Sequence, residues 1–236
     1  MAGERRAAPG RGRGRAGPRG PERHDHAGRQ TDLRPGGAVG LRHRGDDQTG
    51  PVDGRPAVAV ADPTLTRVVQ SWQPRFLANG IDPNDYQRTV SGLAAWEEWY
   101  AAWMRLGGEH ERLAQDASRD GREITAGEAY YRAALAYHFA VFSWVHNLAE
   151  YDAGHRKRVD CYRNALPFLD PPGERVEFPL ETIRIPAYLR KPRGLARPPV
   201  VLFLSGLDSA KEEHATFEAF FLRRGLATLT LDGPGQ

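Results

Sequence analysis

From Pro63 onward the apolar positions recur at helical spacing. Leu65, Val68, Val69, Trp72 and Phe76 share one face of a helix over residues 64–78, with Gly80 as its stop and Pro74 set to kink it or end it early. Val90, Leu93, Trp96, Tyr100 and Trp103 predict a second helix from about residue 84 to 106, ended by Gly107-Gly108. A shorter charged helix over 109–119 closes at Asp120-Gly121. Thr125 and Glu128 fit a T-x-x-E capping box, in which hydroxyl and carboxylate satisfy two helix-end N–H groups. Behind it Tyr130, Ala133, Tyr137, Val141, Trp144 and Leu148 trace one stripe, and a further helix covers 153–167. Pro167, Pro171 and Pro172 end the run, so residues 63–170 are expected to form an all-helical domain.

After Pro172 the apolar period changes from 3.6 to 2. Val176, Phe178 and Leu180, then Ile183, Ile185 and Ala187, predict two short strands joined tightly at Glu181-Thr182. Val200–Leu204 is continuously apolar, the pattern of a strand buried on both faces. It leads into the loop Ser205–Ser209, where Ser209 and Glu212 fit a second capping box for a helix with Phe217, Phe220 and Phe221 on its apolar face and Gly225 as its stop. Leu226–Leu231 is the next strand, ending in Asp232-Gly233-Pro234-Gly235-Gln236. Strand, helix, strand requires parallel pairing and a right-handed crossover, the start of an α/β domain over 171–236.

Composition separates the first 62 residues from the rest. They hold no Phe, Trp, Tyr or Ile, so all 22 aromatics follow them, yet they carry 13 of the 26 Gly and 6 of the 18 Pro. Such a stretch buries too little apolar surface to offset the entropy of ordering, and a disordered Arg/Gly/Pro-rich tail is expected. Its 12 Arg against 8 acids already exceed the whole chain's net +3, so the remainder is slightly negative. Gly12–Gly17 fits G-x-G-x-x-G, but no strand precedes it and no helix follows, so the dinucleotide reading is rejected. The Arg11–Arg15 alternation resembles RNA-binding Arg/Gly segments, yet it lacks aromatics to stack on bases, and nucleic acid is not an expected partner. The bias equally fits translated GC-rich DNA upstream of the true start.

Cys161 is the lone cysteine, which excludes an internal disulfide, suits a reducing compartment and reads as a buried structural thiol. No apolar run approaches the roughly 20 residues of a membrane span, and no apolar segment of a secretory signal follows the first arginines. A cytoplasmic protein with no membrane partner is the expectation. No H-E-x-x-H or C-x-x-C spacing suggests a metal, and no cofactor is expected.

Ligands of open α/β sheets bind outside the carboxyl ends of the strands. The two loops there, Ser205–Ser209 and Asp232–Gln236, both contain glycine. The first could offer backbone N–H groups to a developing oxyanion, or be a plain strand-to-helix turn. Other candidates read as structural: Ser91 and Ser143 fall inside expected helices, and Asp232 fits a strand-end turn. His138 and His146, eight apart on one expected helix, could face a substrate, but interior structural histidines are the plainer reading.

The run from Pro199 to Ser209, an acidic helix start, and Asp232–Gln236 together resemble the α/β-hydrolase superfamily, in a branch that carries an N-terminal helical domain and includes a C–C bond hydrolase. The resemblance covers about residues 64–236. It implies a Ser–Asp–His triad on the sheet, a small-molecule carbonyl substrate enclosed between sheet and helical domain, and no cofactor. It makes Gly206 and Leu207 the oxyanion loop, with the Leu207 N–H as donor; Ser205-Gly206 stands where many relatives have His-Gly. No G-x-S-x-G occurs in these residues, and the resemblance puts the triad beyond Gln236. The expected fold is therefore α/β: an all-helical N-terminal domain, then the first four strands of a truncated α/β-hydrolase sheet, behind the disordered tail. The expected function is the N-terminal part of a serine-dependent hydrolase acting on an ester or on a C–C bond next to a carbonyl, with a homodimer compatible. Rival readings are a non-catalytic helical interaction module on a degenerate hydrolase core, and RNA binding by the tail.

In the resembled sheet the third strand lies between the fourth and fifth, so without the fifth Val200–Leu204 presents an apolar edge. Residues 63–236 purified alone are expected to aggregate and to leave a nitrophenyl ester uncleaved. A monodisperse, active, serine-inhibitor-sensitive preparation would overturn that expectation.

Overall fold

The first helix is set by its ends. In the computed structural model, which describes residues 62–234, Asp62 accepts the N–H groups of Thr64 and Leu65 at 2.7 and 3.3 Å and so caps α1, Pro63–Asn79. Of the expected tail, residues 1–62, all but Asp62 lie outside the described residues, and Asp62 belongs to α1 as its cap. Pro74 does not end α1 early; the helix runs on to Gly80, whose φ of 109° closes it in the left-handed region. The Asp–Pro pair repeats at Asp82-Pro83, capping α2, Pro83–Val90.

That second cap overturns the single helix expected over 84–106. The chain leaves helix at Ser91, makes a 3₁₀ turn at Trp96–Glu98, and re-enters as α3, Trp99–Arg119. Gly107-Gly108 does not stop α3, and the charged helix expected over 109–119 is its second half. The reason is close approach: a Cβ on Gly107 would meet the Tyr137 ring at 2.5 Å, so glycine lets α4 lie against α3. α4, Glu123–Val141, begins at Arg122 without a side-chain cap; Thr125 and Glu128 lie inside it and form no capping box. Residues 133–141 are buried without interruption, so the second half of α4 is enclosed on all sides. It ends at Val141 rather than continuing to Leu148, and Ser143 stands at φ 55° in the connecting loop. Asn147 then caps α5, Leu148–Ala165, five residues before the expected start.

The helical core is aromatic. Phe76 is fully buried and has Phe139, Trp103, Phe142, Tyr86 and Trp99 within 3.9–5.9 Å of its ring centroid. Each such ring contributes about 1.5–3 kcal/mol by burial.

The strands follow the period-2 pattern. β1, Gly173–Leu180, and β2, Ile183–Arg190, form an antiparallel hairpin through Glu181-Thr182, with Glu181 at φ 51°. β3, Val200–Leu204, pairs in parallel with β4, Ala227–Leu231, through the crossover helix α6, Ala215–Leu222. The order β1-β2-β4-β3 leaves β3 at the edge. It is not buried on both faces: Val200, Leu202 and Leu204 are 57, 55 and 67% exposed, because only α6 covers the sheet there, on the opposite face. α6 also departs from expectation, since Ser209 and Glu212 do not cap it. A 3₁₀ turn, Lys211–Glu213, intervenes, and Phe217 and Phe220 remain half exposed while Phe221 meets Phe203 at 5.4 Å. The buried pair Arg190–Glu218, at 2.8 Å, ties α6 to β2.

Gly107→Val should destabilise the fold. The Tyr137 ring cannot swing aside, being buried and tied by its hydroxyl to Glu111 at 2.6 Å, and overpacking of this kind costs about 1–3 kcal/mol. Urea unfolding would show it as a lower midpoint at unchanged slope; an unchanged midpoint would refute the close-contact account.

Candidate active site

The carboxyl ends of β3 and β4 bring two loops together. The Ser205 N–H donates to the Leu231 carbonyl at 3.2 Å, and Asp232 accepts the Lys211 backbone N–H and the Lys211 ammonium, each at 2.7 Å. The end of the second loop, Gly235-Gln236, lies outside the described residues. In the first loop the Ser209 N–H closes a turn on the Gly206 carbonyl at 3.2 Å, and Leu207 projects fully exposed from it. Leu207, Asp208 and Ser209 form one wall of a cavity of about 630 Å³. The facing wall comes from the helical region: His138, Val141, the Phe142–Val145 loop, Leu148, Tyr151 and Arg158. The space is mainly apolar, with His138, Tyr151, Arg158 and Asp208 as its charged or titratable lining.

Behind the loop sits a buried ionic cluster carried by the 3₁₀ turn. Glu213 receives Arg75 Nη2 at 2.9 Å, Asn79 Nδ2 at 2.7 Å, His138 Nε2 at 3.1 Å and the Ser209 hydroxyl. Burial alone would raise its pKa, but the hydrogen bonds from His138 and Ser209 and the charge of Arg75 hold the carboxyl well below its ordinary range. Its neighbour Glu212 takes Lys211 Nζ at 2.9 Å and the Tyr188 hydroxyl at 3.1 Å, with Arg158 Nε 3.2 Å away. Here too burial is outweighed, by Arg158 and Lys211, and the pKa falls to about 2. Arg158 has only donors, so the facing Nδ1 atoms of His138 and His155, at 3.4 and 3.0 Å, accept; the His138 proton then sits on Nε2, toward Glu213. Burial, and then Arg158, lower the pKa of His155, and burial lowers that of His214.

Several expected residues are placed differently. His138 faces the cavity on α4, but His146 lies outside that helix and accepts the Trp96 indole N–H at 2.9 Å, so the two histidines do not act together. Ser143 and Ser91 lie outside helices, in the loop after α4 and at the end of α2. Ser209 serves Glu213 rather than a helix end, and the hydroxyls of Ser205 and Ser209 lie 3.4 and 3.5 Å from His214 Nε2. Asp232, at the end of β4, is a buried partner of Lys211. Cys161 is buried in α5, its pKa pushed up to about 12 by burial. Arg75, Asn79, Arg158 and the Lys211–Glu213 turn escaped the sequence reading, because they come from distant segments and share no motif. Among the described residues no cluster of His, Cys, Asp or Glu could hold a metal, and no helix is long and apolar enough to cross a membrane.

The family described as esterase FrsA-like matches residues 64–236, all of the helical region and the sheet. This chain belongs to the FrsA-like esterases. Within that family and the wider α/β-hydrolase superfamily, it is 40% identical over 138 residues to the 2,6-dihydropseudooxynicotine hydrolase of Paenarthrobacter nicotinovorans, covering 58% of this chain and 37% of the relative. It is 29% identical over 180 residues to the α/β-hydrolase xenA of Xenoacremonium sinensis, covering 73% and 41%. The crystal structure of the 2,6-dihydroxy-pseudo-oxynicotine hydrolase superposes with a TM-score of 0.62 at 36% identity, covering 69% of this chain and 45% of that one. The FrsA-like chain thus spans about two-fifths of the length of these relatives, and they are hydrolases.

Because the folded pKa of Glu212 is depressed, its ionised form stabilises the fold fully above its unfolded pKa, near 4.5, and that contribution fades as pH falls toward 2. The stability gap between wild type and Glu212→Gln, read by urea unfolding, should hold from pH 7 to 5 and shrink by pH 3. A gap independent of pH would show that the carboxylate gains nothing from its charge.

Proposed function

We propose that this chain supplies the oxyanion loop and the helical cover of a serine-dependent α/β-hydrolase that attacks a carbonyl carbon in an ester or a ketone. One observation carries the reading: the Leu207–Ser209 stretch of the loop faces Val141–Val145 and Leu148 across a mainly apolar cavity large enough for a small-molecule substrate. In this reading residues 63–170 form the cover and residues 171–236 begin the catalytic domain. The space beside Gly206 is open, and the Leu207 N–H is one donor to the oxyanion of the tetrahedral intermediate. The second donor is the residue after the nucleophile. The nucleophile itself belongs to a G-x-S-x-G that these 236 residues do not contain, so the triad is assigned to the rest of the full protein. Ester and C–C hydrolysis share this machinery, since both place negative charge on a carbonyl oxygen. The match to the esterase FrsA-like family supports the ester reading, and the resemblance to a branch that includes a C–C bond hydrolase supports the ketone one. A cofactor-free, cytoplasmic enzyme fits this scheme.

The full protein should cleave 4-nitrophenyl esters and lose that activity to a serine-directed phosphonate. Leu207→Pro, which removes the backbone donor, should lower kcat by about 10²–10³-fold with KM little changed. Full activity in the proline variant, or indifference to the phosphonate, would sink the reading.

A further inference from the structure

Arg75 joins the helical region to the loop at the cavity wall. Its Nη1 donates to Asp208 Oδ2 at 2.9 Å; its Nη2 donates to the Asp208 carbonyl at 3.1 Å and to Glu213 Oε1 at 2.9 Å. The guanidinium is held over the Phe142 ring, 4.9 Å from its centroid, so it is braced by the opposite wall of the same cavity. Asp208 directly follows Leu207, and Glu213, on which Asn79, His138 and Ser209 also converge, lies behind the loop. One guanidinium therefore fixes the main chain of the loop and faces two carboxylates beside it.

The charge matters as much as the geometry. A loop that stabilises a developing anion is itself flanked by Asp208, and the cluster behind it sets three cations, Arg75, Arg158 and Lys211, against four carboxylates, Asp208, Glu212, Glu213 and Asp232. Removing Arg75 would leave Asp208 uncompensated next to the oxyanion, where like charges repel. A plain helix-to-loop tether would need one of these bonds; the two bonds to Asp208, one to its side chain and one to its backbone, hold both the charge and the position. We infer that Arg75 is a positioning residue by which the helical region sets the conformation and the charge of the oxyanion loop. The inference rests on the oxyanion-loop reading for its catalytic consequence, not for its structural one.

Two measurements on the full protein separate these. In ester hydrolysis Arg75→Met should lower kcat by about 10–100-fold with KM within about threefold, Arg75→Lys should retain most of the rate, and adding Asp208→Asn to Arg75→Met should recover about tenfold. In hydrogen exchange the amides of residues 207–209 should exchange at least about tenfold faster in Arg75→Met, and unchanged in Arg88→Met, whose guanidinium pairs with Asp85 and Glu109, away from the loop. If the wild type cleaves no ester, the ester reading fails and the exchange result alone decides the clamp. Unchanged loop exchange overturns the inference, as does a rate loss that Asp208→Asn leaves unrelieved. Should Arg75→Met not fold, Arg75→Lys with and without Asp208→Asn is compared instead. No gain in rate or loop protection over wild-type-like values is expected there, and a Lys variant as slow as an unfolded control would overturn the charge role.

Discussion

The arrangement of this protein depends on a carboxylate, Glu213, that cannot be buried alone. Taking an ion out of water costs several kcal/mol even after relaxation, and only close donors offset it. Glu213 finds them on α1, on α4 and in the loop, so the helices and the sheet must meet in one orientation for the charge to be satisfied. Glu212 repeats the constraint with α5 and β2. Such clusters add little net stability compared with an apolar filling, but a misdocked arrangement would strand a charge, so they select one geometry.

Around that constraint the two layers have different sources of stability. The helical region relies on the aromatic cluster about Phe76 and on the enclosed second half of α4. The sheet is thinner, with β3 at its edge and Val200, Leu202 and Leu204 turned outward. The cavity lies where the layers meet, lined by apolar helical side chains on one side and by the Leu207–Ser209 loop on the other. Placing the loop at that junction backs it with the ionic cluster, through Asp208 and Ser209.

Much of the element order was legible. Period 3.6 gave way to period 2 near Pro172, and the hairpin, the parallel β3–β4 pair and its crossover all formed as read. The failures share a cause. Gly107-Gly108 looked like a stop but serves a close contact with Tyr137, and the two S/T-x-x-E matches looked like caps but stand inside a helix or before a 3₁₀ turn. A local motif states what a residue can do in its own segment; another segment decided what it does. The apolar run Val200–Leu204 failed differently, since its burial depends on a neighbouring strand and covering layer.

By itself the sequence determined where helices give way to strands, which residues are apolar enough to form a core, and that a glycine loop follows β3. These follow from periodicity and backbone sterics, which act over a few residues. Only the tertiary structure decided that Arg75, Asn79, His138 and Arg158 converge on Glu212 and Glu213, and that the Phe142–Val145 loop faces Leu207 across a cavity. Those contacts join residues from 54 positions apart, Arg158 and Glu212, to 138 apart, Arg75 and Glu213, and nothing short of the packed chain brings their charges within hydrogen-bond reach.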